Sequence, residues 1–577
     1  MRPLTCLVWM VPTVLLACNP AARRGRSHEP ATSTAPAAPR VCPEQDARLP
    51  APDGFAPAFV VLHLNDIYRV GPARNGVAGG LSRVAALIQR TREEERLPVY
   101  IVHSGDFLFP SLESDRLGVE RMVAALNFLH DRLQEGEPAT RGELLVVPGN
   151  HEFEKKTAAP LVKALETSRF RWLGSNVKLR GDAAGVAQKV EPDALLTMGG
   201  VKVGFFALAL AEGLDKAYVE KADRANYASL AHERLSALEA RGAELLIGIT
   251  HLEMTDDMAL ARTLKAEHPR LLWLAGGHDH SCMYSTSGAL VTKGDSNAVR
   301  MWRLRFGRDA RGAPAVQPEM LALTTEDATD EAYDTQVWKP TLAQLETLFP
   351  DFNNPIGQAR VPLEAREQCV RNVETNFGNY LTDLMRAEPG APKADIAVLN
   401  GGLLRLDDRV QGPLRGEHLE RTLGFPAPVC RVRLTGDAIR RMLENSVSGG
   451  YGEGRFLQVS GLKYSFNRER PPGSRVTSVQ VLGGPQGAAP LEEGRSYVVA
   501  ANSFIATRDK EGRAGDGYAM LADGEQLGCG TDLKKLIQED LQRRPRGIEP
   551  RTEGRITEEG SPPAHCPAPE APPASSH

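Results

Sequence analysis

Short apolar runs recur through the first half of the chain, and each stops abruptly on polar residues. Phe59-Val-Val-Leu-His-Leu64 runs into Asn65-Asp66, and Val99-Tyr-Ile-Val-His103 into Ser104-Gly-Asp106. Leu144-Leu-Val-Val147 leads through Pro-Gly into Asn150-His151, Leu245-Leu-Ile-Gly-Ile-Thr250 ends on His251, and Leu271-Leu-Trp-Leu-Ala275 leads through Gly-Gly into His278-Asp-His280. Unbroken apolar runs of this length predict strands buried on both faces, with turns at the glycines. Between the first two, Gly79-Gly80-Leu81-Ser-Arg83 opens a segment with Val84, Leu87 and Ile88 at helical spacing. Strands alternating with helices predict an α/β domain over 58–324. An acidic stretch then leads to a helix over Val337–Phe349, within a linker at 325–355, and a second α/β region follows over 356–545. Residues 19–57, rich in Ala, Pro and Arg, read as an extended tether, and 546–577, rich in Pro, Glu, Ser and Ala, as a disordered tail.

Length agrees with this division, since 577 residues exceed what one core supports. The 69 basic residues against 73 acidic give a net charge of −4 with no long basic run, which argues against a nucleic-acid partner. Arg2, the apolar stretch to Leu16 and small residues before Cys18 read as a secretion signal rather than a spanning helix. Leu15-Leu-Ala-Cys18 resembles the lipobox of bacterial lipoproteins, which implies lipidation of Cys18 and a mature chain anchored to the cell envelope; Asn19 favours the outer membrane. Cys42, Cys282, Cys369, Cys430, Cys529 and Cys566 then permit three disulfides whose pairing the sequence leaves open.

The ends of the five strand-like runs carry Asp66, Asp106, Asn150, His151, His251, His278 and His280. Ligands of α/β proteins gather where strand carboxyl ends meet. Carboxylates, an amide and imidazoles are the donors that hold two neighbouring hard or borderline cations without thiolates. His63 and His103, inside strands, read as structural.

Asn65-Asp66, Gly105-Asp106, Gly149-Asn150-His151-Glu152, Thr250-His251 and Gly277-His278-Asp279-His280 resemble, in order, the motifs of the calcineurin-like metallophosphoesterases. The second half narrows the resemblance to the 5′-nucleotidase family. This implies a four-layer β-sandwich flanked by helices, followed by an α/β substrate-binding domain. It also implies two divalent ions (Mn, Zn, Fe, Co or Mg), one held by Asp66, Asp106 and His280 and the other by Asp106, Asn150, His251 and His278. By the same resemblance His151 faces the phosphate, oriented by Glu154. Tyr68 replaces the family's usual His two residues after the first Asp, and stands as a metal ligand or as a group behind the ligands. Glu154 replaces Asp, and His280 stands where the periplasmic nucleotidases carry Gln.

Arg371-Asn-Val-Glu-Thr-Asn-Phe-Gly-Asn379 and Asn400-Gly-Gly-Leu-Leu-Arg405 resemble the family's substrate motifs, with Leu403 in place of a third glycine. The resemblance implies that Arg371 and Arg405 grip phosphate and that Asn400 and Asp516 hold the nucleoside. Phe425 and Phe504 would sandwich the base; the alternative is two core phenylalanines. The charged stretch Arg508–Arg513 looks like an insertion at the pocket rim.

The expected activity is release of phosphate from nucleoside 5′-monophosphates, by a monomer or homodimer. The alternatives are hydrolysis of UDP-sugars, 2′,3′-cyclic nucleotides or sugar phosphates, and a non-catalytic binding lipoprotein. With catalytic groups in one half and the base pocket in the other, closure about the linker is expected to join them.

Overall fold

Alternation along strand Ala56–Leu64 divides its side chains between two cores. Phe59 and Val61 point to one, Val60, Leu62 and Leu64 to the other. The structure, a computed structural model, describes residues 38–211, 216–484, 487–560 and 566. The signal segment and Cys18 lie outside the described residues.

Ala56–Leu64 is central in an eight-stranded sheet, parallel to Val99–His103 and antiparallel to Arg300–Arg308; Val99–His103 is in turn parallel to Leu144–Val146. In a seven-stranded sheet, Leu245–His251 lies parallel to both Val201–Ala209 and the middle strand Leu271–Gly276. The sheets stack through Phe59, Val61, Val102, Leu145, Phe205, Ile247, Ile249 and Trp273. Helices Leu81–Glu95 and Glu120–Gln134 cover the outer face of the first sheet, and Tyr227–Ala240 and Met254–Glu267 that of the second. The result is the expected four-layer helix–sheet–sheet–helix sandwich.

In the second half, a five-stranded sheet runs Leu457–Ser460, Ile396–Asn400, Ser496–Asn502, Pro428–Thr435, Glu525–Asp532. Asn376–Ala387 and Leu533–Arg543 pack on one face, Gly436–Ser446 on the other. The Thr375 hydroxyl caps Asn376–Ala387 by accepting from the Gly378 amide, so the first substrate motif is a helix start.

Three expectations are corrected. The tether does not extend to residue 57: Arg40–Val41 and Ala47–Arg48 add strands to the two sheets, and Cys42 is bonded to Cys282. The tail is ordered over 546–560: Ile556–Glu558 pairs in parallel with Leu462–Phe466, and Cys566 is bonded to Cys369. Composition missed both because strands so short are held by backbone pairing and a crosslink rather than by apolar side chains. The linker helix starts earlier than Val337, as an α turn Glu331–Tyr333, and passes through a π turn, Asp334–Trp338, before the α-helix Lys339–Leu348. Pro340 explains this, because it has no amide to offer the Gln336 carbonyl.

Candidate metal centre and substrate cleft

The strands of both sheets end at one edge of the sandwich, and the chain turns sharply there. Asp66, Asp106, His278 and His280 all adopt left-handed backbone, with φ of 52°, 57°, 80° and 52°. Non-glycine residues held this way cost on the order of 1–3 kcal/mol each and cluster at functional sites. Gly149 permits the close approach, since a Cβ there would lie 2.0 Å from Asp106 Oδ1.

Asp66, Asp106 and His251, all buried, bring donor atoms within 4.8 Å of one another. The donors form two groups that share Asp106. In one, the Tyr68 hydroxyl lies 3.2 Å from Asp66 Oδ1, 3.3 Å from Asp106 Oδ2 and 2.9 Å from His280 Nε2. In the other, His251 Nε2 lies 3.1 Å from Asp106 Oδ2 and 3.2 Å from Asn150 Oδ1. The His278 ring centroid is 5.3 Å from that of His251. Paired buried carboxylates surrounded by neutral donors fit cations, because burial without positive charge is costly. Burial would lower the His251 pKa, yet Asp106 and Asp66 outweigh it and raise it to about 9. Burial, then Asp106 and Asp66, push the Tyr68 phenol well above its usual range, so it joins the cluster as a neutral hydroxyl.

His151 Nε2 is 4.0 Å from Asp106 Oδ2, and its Nδ1 is 2.8 Å from Glu154 Oε2. The extra methylene of Glu154 therefore does not prevent the contact. His63 bonds Thr292 and Ser104, and burial lowers it to about 3, consistent with a structural role.

Several supporting groups were not singled out from sequence. Glu152 accepts from the amides of Asp106, Phe107, Leu108 and Gly149 at 2.6–3.0 Å, joining two ligand loops; burial, then Asp106, raises its pKa to about 7. Lys293 Nζ donates to the Leu252 and Gly277 carbonyls and pairs with Asp257 and Asp279, bracing the loops of His251 and His278. Asp407, from the second domain, accepts from His280 Nδ1 at 2.9 Å. Only Glu152 and Asp279 carried a signal, as neighbours of ligands within the motifs. The others come from distant sequence.

A cleft between the domains is lined by Tyr68, Asn297, Arg405, Asp407, Arg421 and Phe425, among others. Arg371 and Arg405 both face the Glu367 carboxylate. The Asn400 amide donates to Asp516 Oδ2 at 2.7 Å. Phe425 and Phe504 are 56% and 53% exposed, which removes the core alternative. The Arg508–Arg513 stretch is a closed turn, bridged between Arg508 and Ala514, and Glu511 reaches Lys156 at 3.5 Å.

A four-layer sandwich with carboxylates, amide and imidazoles at its strand ends defines a metallophosphoesterase, and residues 59–282 match the family described as calcineurin-like phosphoesterase. Residues 355–523 match the 5′-nucleotidase C-terminal domain. The chain belongs to the 5′-nucleotidase family of metal-dependent phosphoesterases, whose centre takes two divalent ions. It is 26% identical over 527 residues to the trifunctional nucleotide phosphoesterase YfkN of Bacillus subtilis (strain 168), a match covering 87% of this chain and 35% of that protein's length. It is 25% identical over 551 residues to a snake venom 5′-nucleotidase of Crotalus adamanteus, covering 86% of this chain and 88% of the relative. A 5′-nucleotidase precursor of Thermus thermophilus superposes with a TM-score of 0.69 at 26% identity, covering 87% of this chain and all of that one.

Proposed function

We propose that the protein releases phosphate from nucleoside 5′-monophosphates. The observation that carries this reading is the exposure of Phe425 and Phe504, the only exposed phenylalanines among the described residues. Aromatic faces left uncovered on the domain opposite a phosphoesterase centre suit stacking on a base, worth about 1–3 kcal/mol per contact.

Asp66, Asp106 and His280 would hold one divalent ion and Asp106, Asn150, His251 and His278 the other, and the pair would neutralise phosphoryl charge and acidify water. This chain's own groups do the rest. Glu154 keeps a proton on His151 Nδ1 and turns Nε2 toward the centre; a ring protonated there too donates to the leaving oxygen. Arg371 and Arg405, gathered by Glu367, offer forked donors to the phosphate. Asn400 and Asp516, already hydrogen-bonded, present amide and carboxylate to the ribose hydroxyls. The charged turn at 508–513 favours, as the second reading, a phosphoester with a further polar group, such as a UDP-sugar. Export and lipidation at Cys18 belong to the same proposal, and the three disulfides support an oxidising compartment.

Phosphate release from AMP and from p-nitrophenyl phosphate, with Mn²⁺ and after chelation, tests the reading. Metal-dependent release strongly favouring AMP is expected, with Phe504→Ala raising KM for AMP about 5- to 100-fold. An unchanged KM for AMP in that variant would remove the nucleotide.

A further inference from the structure

Away from the catalytic edge, the adjacent helices Tyr227–Ala240 and Met254–Glu267 bring two histidines and two glutamates together. His232 Nδ1 lies 2.8 Å from Glu267 Oε2 and 3.1 Å from His268 Nε2. His268, only 3% exposed, has its other nitrogen 2.9 Å from Glu239 Oε2. The donor atoms of His232, Glu267 and His268 all fall within 4.8 Å of one another. Met254 follows His251 closely, and its helix of 14 residues rises 1.5 Å per residue, so the cluster lies ~20 Å from the catalytic centre.

His232 Nδ1 makes two contacts but has a single place for a hydrogen. The Glu239 carboxylate requires a hydrogen on His268 Nδ1. If His268 is neutral, its Nε2 is a lone pair. The single hydrogen that His232 Nδ1 can carry must then serve both that lone pair and the Glu267 carboxylate. If His268 is doubly protonated, its Nε2–H takes up the His232 Nδ1 lone pair, and that nitrogen faces Glu267 with no hydrogen between them. In neither state does each contact have its own proton. A cation among the three donors satisfies all of them.

We propose that His232, His268 and Glu267 form a third metal site, for zinc or a similar late transition ion, that clamps the two helices. Two imidazoles and one carboxylate select that class over calcium or magnesium. Glu239 on the far nitrogen of His268 is the outer carboxylate that commonly orients a metal-bound histidine. A tetrahedral zinc about 2.0–2.1 Å from each donor separates the donors to about 3.3–3.4 Å. The present contacts must therefore open by only a few tenths of an ångström, within the reach of the half-exposed His232 and Glu267 side chains. Those side chains also leave room for water as the fourth ligand.

The test uses the full chain, stripped of metal and reloaded with Zn²⁺, with metal counted after gel filtration and melting followed in parallel. Three ions per chain are expected for the natural protein and two for His232→Ala and for Glu267→Gln. The melting-temperature rise on filling the third site should vanish in both variants, while Mn²⁺-supported hydrolysis stays the same. Equal zinc counts in the natural protein and His232→Ala overturn the proposal; if that variant does not fold, Glu267→Gln decides.

Discussion

Replacing Arg421 by Met tests how strongly the two domains are held in this arrangement. Glu113, on the first domain and fully buried, meets the Arg421 guanidinium of the second through two contacts, Nη2 to Oε1 at 2.8 Å and Nη1 to Oε2 at 3.0 Å. Burial by itself would raise the Glu113 pKa, but Arg421 outweighs it and holds the carboxyl below its usual 4.5. By linkage, a lowered carboxyl pKa stabilises above the unfolded value of 4.5, and the gain is lost as pH falls through the folded value.

Methionine keeps much of the packing of the arginine stem but leaves the buried carboxylate unpaired. Breaking such a pair costs about 3–5 kcal/mol. The carboxylate can escape by taking up a proton. At 1.36 kcal/mol per pH unit, protonating a group of pKa 4.5 costs about 3.4 kcal/mol at pH 7 and about 0.7 kcal/mol at pH 5. The substitution should therefore cost about 3 kcal/mol at pH 7 and about 1 kcal/mol or less at pH 5. Urea unfolding measured at both values checks this. Trp172, Trp273 and Trp302 lie in the first domain and Trp338 packs against its core, so tryptophan fluorescence follows that domain, and circular dichroism follows both. Replacing both partners, as Glu113→Leu with Arg421→Met, should recover most of the loss. A cost below 1 kcal/mol at pH 7, or one equal at the two values, refutes the reasoning.

Lys293→Met should leave Asp257 and Asp279 without their shared cation and loosen both histidine loops; fewer bound metals per chain and a clear fall in melting temperature are expected. Asp407→Asn should weaken metal retention about 10- to 100-fold by removing the carboxylate behind His280, measured by competition with a chelating dye, while KM for substrate changes less than kcat. Glu154→Gln keeps a hydrogen-bonding group beside His151 but removes the charge, so kcat should fall about 100-fold or more with the metal content unchanged.

The strands and their metal-capable ends were legible because both are local properties. An apolar run that stops on Asp, Asn or His states in a few residues that it is buried and what it presents. The same locality explains why Thr375 could open a helix inside the substrate motif. The extent of order at either end was not legible, since Arg40–Val41 and Ile556–Glu558 are strands only because a partner edge lies beside them.

By itself, the sequence determined the two-domain α/β order, the kind of donor at each strand end and the motifs of a phosphoesterase. Only the tertiary structure decided how those donors are held. Lys293 reaches back to the carbonyl after His251, Asp407 crosses from the other domain to His280, and Cys42 pairs with a cysteine 240 residues away. Such partners are set by packing between distant segments, and periodicity along a chain records burial without recording which buried surfaces meet.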